Sequence, residues 1–135
     1  MSTKFPATKV IPQLGLSEAE VSALISTKAA PLTPTVNAQT GTTYTLALVD
    51  AGAVVTATNA DAVTVTVPTN AAIAYPVGTV INVLQGGAGA VTVEGDTGVT
   101  VNGVSGGSVT TTTQYQGATL LKVATDEWII SGAVE

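Results

Sequence analysis

Few residues of this 135-residue chain could do chemistry, and most of those are acidic. Glu94 and Asp96 stand two apart, a spacing that projects two carboxylates from one side of a strand end. A glycosidase pair would need a substrate cleft and a controlled separation of about 5 Å or about 6.5–9.5 Å. With Gly95 and Gly98 beside them, they read instead as solvated turn residues. Asp50, Asp61 and Asp126 also occupy turn positions, where a short carboxylate bonds nearby backbone. Loop carboxylates of this kind are the raw material of a calcium site, the alternative use. Lys122 is the one lysine beyond residue 30. It could serve as a Ser–Lys base or an isopeptide donor, but beside Leu120 and Ala124 it fits an exposed or edge lysine. Gly86-Gly87-Ala88-Gly89 has neither the tandem aspartates of a calcium-binding repeat nor the Lys-Ser/Thr and helix of a phosphate loop, so it reads as a turn. Tyr115 and Trp128 could form a sugar-stacking platform, or Trp128 could anchor the core or a subunit seam.

Absences remove whole classes of function. The chain has no cysteine and no histidine, so thiolate chemistry, disulfides and imidazole bases or ligands are gone. It also lacks arginine, and its net charge of −5 would repel a phosphate backbone. No set of nucleophile, base and orienting group is present. We therefore expect no catalytic residue, no metal, no cofactor and no nucleic-acid partner. Apolar runs are far short of the ~18 residues of a membrane span, and the N-terminus lacks the apolar stretch of a secretory signal. A protein without a membrane partner, made in the cytoplasm, is the expectation.

Positioning such residues falls to two regions of different texture. Residues 1–30 hold Lys4, Lys9 and Lys28 against Glu18 and Glu20. Beyond them Lys122 alone faces Asp50, Asp61, Glu94, Asp96, Asp126, Glu127 and Glu135. Leu16-Ser17-Glu18-Ala19-Glu20-Val21 is a capping box with a hydrophobic staple, so a helix is predicted over about 17–28. Val21, Leu24 and Ile25 share one face of it. Pro6, Pro12, Pro31 and Pro34 keep the flanking chain extended. Phe5, Val10, Ile11, Leu14 and Leu16 are then apolar groups on an arm without a core of its own. We read residues 1–36 as a docking arm and 37–135 as a β-domain.

From Tyr44 onwards the period is two. Strands are predicted at 44–49, 53–58, 63–67, 79–84, 90–93, 99–101, 108–113, 119–124 and 127–130, with Gly and Asn/Asp between them. The expected fold is mainly β, an antiparallel sandwich or barrel of about nine short strands with an N-terminal arm and one short helix. Threonine on the outward positions favours strands and keeps the sheet wettable without charge. A β-solenoid is the rival, since Val-Thr-Val recurs at 91–93 and 99–101, but the intervals elsewhere are irregular.

Tyr44 to Val55 (YTLALVDAGAVV), Val63-Thr-Val-Thr-Val-Pro68-Thr-Asn, Tyr75 to Val93, Gln114-Tyr115, Ala118-Thr-Leu-Leu-Lys122 and Asp126-Glu-Trp128-Ile-Ile-Ser-Gly132 together resemble a small β-domain of tailed-bacteriophage minor tail and fibre proteins. The resemblance spans about residues 40–135 and implies a projecting virion domain. A short free-standing version with an arm is similar in plan to a capsid decoration or head-fibre protein. It implies a homotrimer on the phage major capsid protein or another virion protein, located at the capsid surface. Phe5, Val10, Ile11, Leu14, Leu16, Val21, Leu24 and Ile25 would then dock on the shell or form the trimer seam. The alternative is a tail-tip or baseplate module that binds host-surface glycan through Tyr115 and Trp128.

Overall fold

Alternating valine and threonine give a strand one dry and one wet side, and the dry sides must find each other. A computed structural model of the protein describes residues 10–11, 16–29 and 33–135, with side chains for 17–23 and 33–135. The chain divides into two compact units, residues 1–33 and 34–135.

In the first unit, β1 (Val10–Ile11) and β2 (Leu16–Ser17) pair antiparallel, Val10 opposite Ser17 and Ile11 opposite Leu16. Helix α1 (Glu18–Ala29) follows directly. Its start is the capping box read from the sequence: the Ser17 N–H donates to Glu20 Oε2 at 2.7 Å, and the Glu20 N–H donates to Ser17 Oγ at 3.2 Å.

The second unit is mainly β, two sheets around one core. Its strands are β3 (Val36–Gln39), β4 (Thr43–Thr45), β5 (Val54–Ala57), β6 (Val63–Val67), β7 (Val80–Gln85), β8 (Val91–Gly95), β9 (Thr100–Val101), β10 (Val104–Ser105), β11 (Ser108–Thr110), β12 (Gly117–Ala124) and β13 (Glu127–Gly132). The seven-stranded sheet has the order β10-β9-β13-β12-β7-β5-β3, and the four-stranded sheet β11-β8-β6-β4. Val55, Ile81, Val83, Leu120 and Trp128 of the first meet Val63, Val65, Val67, Val91 and Val93 of the second in a shared core.

The mainly β, two-sheet expectation stands, and the detail that differs is strand direction. From β3 to β8 the chain alternates between the sheets, so that β3, β5 and β7 run parallel in one while β4, β6 and β8 run parallel in the other. The pairs β7–β12, β12–β13, β8–β11 and β9–β10 are antiparallel, and β9 joins β13 in a further parallel pair. The physical reason lies in the corners. Gly86-Gly87-Ala88-Gly89 does not fold β8 back on β7 but carries the chain across to the other sheet. There the Gly87 and Gly89 backbones press against the turn at Thr58–Asp61, so closely that a Cβ at Gly89 would collide with the Asp61 carbonyl. Val63, Thr64 and Val65 are thereby stacked in register on Val91, Thr92 and Val93.

One predicted strand of this unit is cut short and two strands are added. The strand expected at 44–49 ends at Thr45, and Leu48–Asp50 forms a turn of 3-10 helix instead. Strands β3 and β10, absent from the sequence reading, are edge strands whose pairing is supplied by β5 and β9.

Candidate functional site

Of the four buried polar residues among those described, Asp50, Gln85, Thr111 and Lys122, three are gathering points for hydrogen bonds: Asp50, Gln85 and Lys122. Asp50 closes the turn of 3-10 helix after β4. Its Oδ2 accepts the Tyr44 hydroxyl at 2.7 Å and the Ala47 N–H at 2.8 Å, and its Oδ1 accepts Asn37 Nδ2 at 2.8 Å. The same Asn37 amide donates to the Tyr44 hydroxyl and accepts Gln39 Nε2 at 2.7 Å. Burial, then the hydrogen bond to Asp50 and its charge, raise the Tyr44 pKa; burial, then the charge of Asp50, raise that of Tyr75 well above the usual phenol range. The Tyr75 hydroxyl donates to the Ala47 carbonyl, which ties this cluster to the loop after β6.

Lys122 continues the chain of contacts. It lies on the inward face of β12 with Ala118 and Leu120, at 2 % exposure. Its Nζ donates to the Tyr75 carbonyl at 2.7 Å and to Asn70 Oδ1 at 2.6 Å. The Asn70 N–H donates in turn to Asp126 Oδ1, in the β12–β13 hairpin. Asp126 adopts φ 55°, a left-handed conformation that Asp tolerates better than most residues. The reading of Lys122 as an exposed or edge lysine is corrected by this placement: β12 is flanked by β7 and β13, and its lysine points between the sheets. Gln85 is the third group. It donates to the Gly87 and Ala88 carbonyls, each at 3.3 Å, and accepts the Thr111 hydroxyl, so the glycine turn is held from inside.

The remaining sequence candidates are not brought together. Glu94 lies on β8, opposite Ser108 and beside Thr66, while Asp96 is exposed and accepts the Thr97 N–H. Asp61 is exposed and its N–H donates to Asn59 Oδ1. Tyr115 is 80 % exposed, but Trp128 is 1 % exposed and packs edge-on against Tyr75 with ring centroids 5.5 Å apart. The paired glycan platform is therefore corrected: Trp128 is a core anchor, because its strand parity places it beside Lys122 of β12 and Val101 of β9, both buried. Of the docking residues, Phe5 and Leu14 lie outside the described residues. Val10, Ile11 and Leu16 lie in the β1–β2 ladder, and Leu24 and Ile25 on α1; the side chains of all five lie outside the described residues. Val21 is half-buried.

Sequence reasoning missed Asn37, Asn70, Gln85 and Thr111. Parity was a usable signal for Gln85, which shares its face of β7 with Ile81 and Val83. No such signal marks Asn37 or Asn70.

The outer surfaces are the other candidates for contact. On the four-stranded sheet Thr43, Thr64, Thr92 and Thr110 form one cross-strand row of hydroxyls, with Thr92 and Thr110 bonded at 2.9 Å. On the seven-stranded sheet Val80, Leu121 and Ile129 are cross-strand neighbours at 39 %, 38 % and 41 % exposure. Among the described residues no three acidic side chains gather as a metal site, and no helix is long and apolar enough to cross a membrane. No family model matches the chain, and no curated protein is detectably similar to it.

Proposed function

We propose that this chain is a structural virion protein, a capsid decoration or head-fibre protein that grips a phage shell through its leader, residues 1–33, and carries its β-domain outward; Val36, placed in the arm by the sequence, belongs to β3. One observation carries the reading furthest: among the described residues, every buried member of the β-domain core lies between Leu46 and Ile130, within the unit formed by residues 34–135. The leader has its own β1–β2 pair and capped α1, a local frame for docking on another protein. The polar clusters favour the same reading, because Asp50 and Lys122 are spent on internal bonds and offer no accessible reactive group. A wettable, uncharged threonine face suits an outward-facing surface.

The partner is the phage major capsid protein or another virion protein, and the assembly a homotrimer. Copies related by symmetry multiply a weak arm's attachment by avidity. The Val80–Leu121–Ile129 row is a second apolar surface on which copies can meet. The test is a chain that begins at residue 34, mixed with undecorated shells and sedimented. It is expected to fold, with a β-rich circular dichroism spectrum, and to stay in the supernatant. Full-occupancy decoration by the shortened chain overturns the proposal.

A further inference from the structure

Lys122 has an unusual pair of partners. At 2 % exposure its ammonium is held by two neutral oxygens, Asn70 Oδ1 and the Tyr75 carbonyl. Lysines are almost never buried this deeply unless paired, because an ammonium out of water needs a counter-charge. The nearer oxygen belongs to a carboxamide. A C=O bond of about 1.2 Å places Asn70 Cγ no more than about 3.8 Å from Nζ, given the 2.6 Å contact. Reacting atoms in productive sites stand about 3–3.5 Å apart, so little movement is needed. Surrounding groups hold this arrangement. Trp128 is the cross-strand partner of Lys122, and Tyr75 stands edge-on to it, at 89°, so aromatic surface keeps water away. Asp126 Oδ1 takes the Asn70 N–H and fixes the backbone that carries the carboxamide.

We infer that Lys122 and Asn70 join in an intramolecular isopeptide bond. One proton of the Lys122 ammonium passes to solvent, and the resulting amine adds its lone pair to Asn70 Cγ and forms the Nζ–Cγ bond. The Cγ–Nδ2 bond breaks, its electron pair passes to Nδ2, and an amine proton moves to that nitrogen. One ammonia leaves and a secondary amide remains; no oxidant, reductant or cofactor enters. The product replaces a buried charge with a neutral amide. It also ties β12 to the loop after β6 across 52 positions of chain, a covalent brace in a protein with no cysteine for a disulfide.

The experiment is the intact mass of the full chain, denatured after prolonged incubation at neutral pH. The expected mass falls short of the sequence mass by one ammonia. A succinimide at Asn102-Gly103 would remove the same mass, so Lys122→Arg and Asn70→Ala are measured alongside. The isopeptide loss disappears in both variants, whereas a succinimide loss persists. Cleavage of the unsubstituted protein at acidic residues is expected to yield one branched peptide joining the segments around Asn70 and Lys122, a readout that needs no variant to fold. A full sequence mass, a loss that survives Lys122→Arg, or only linear peptides overturns the inference.

Discussion

Asp50 shows how much of this fold can rest on one buried carboxylate. It gathers a side-chain amide, a phenol and a backbone N–H from β3, β4 and the turn that follows, so removing it strands three donors. Asp50→Ala is expected to cost about 3 kcal/mol, read from urea unfolding, because buried donors left unpaired lose their full desolvation cost. The neighbouring phenols make stability sensitive to base. Tyr44 and Tyr75 both hold their protons more tightly when folded than the ordinary phenol pKa of 10.0 allows. Their contribution is complete below that value and is lost as pH rises through the folded pKa values, since only the unfolded chain then gives up its protons easily. Thermal melts are expected to be level up to about pH 10 and to fall beyond it, with a shallower fall in Tyr75→Phe. An unchanged slope in that variant would remove Tyr75 from the effect.

At the scale of elements, corners rather than strands decide how this chain is wound. Gly87 and Gly89 lie against backbone of the Thr58–Asp61 turn, whereas a Cβ at Gly41 would meet nothing nearer than the Thr43 carbonyl at 3.8 Å. Gly89→Ala is therefore expected to destabilise by about 1–3 kcal/mol, the usual cost of forcing atoms into packed space. Gly41→Ala serves as a near-neutral control in the same unfolding measurement. The capped helix makes a second, local prediction. Ser17→Ala removes the oxygen that receives the Glu20 N–H and should cost α1 about 1 kcal/mol, seen as faster amide exchange across Glu18–Ala29.

For the whole molecule, the prediction concerns assembly. Leu121 lies between Val80 and Ile129 on the outer face of the large sheet. If copies meet there, Leu121→Lys lowers the mass seen by light scattering while leaving monomer stability within about 0.5 kcal/mol, as expected of a surface change. An unchanged mass for an assembled protein assigns the seam elsewhere, with the leader residues next in line.

What could be read from the sequence alone is what short-range physics controls. The capping box needs only Ser17 and Glu20, three residues apart, and it forms as spelled out. The Val63–Val67 alternation specifies a dry and a wet face whatever the partner strand, and Asn102-Gly103 marks the turn between β9 and β10 because Asn and Gly accept positive φ. The tertiary structure alone decided strand direction, since a glycine-rich corner can return a chain beside itself or send it across to a second sheet. It alone decided the place of Lys122 as well. Thr119-Leu120-Leu121-Lys122-Val123-Ala124 offers apolar residues on both faces, so alternation leaves the inward side open. The oxygens that choose it belong to Asn70 and Tyr75, 52 and 47 positions away, brought near only when the two sheets close on each other.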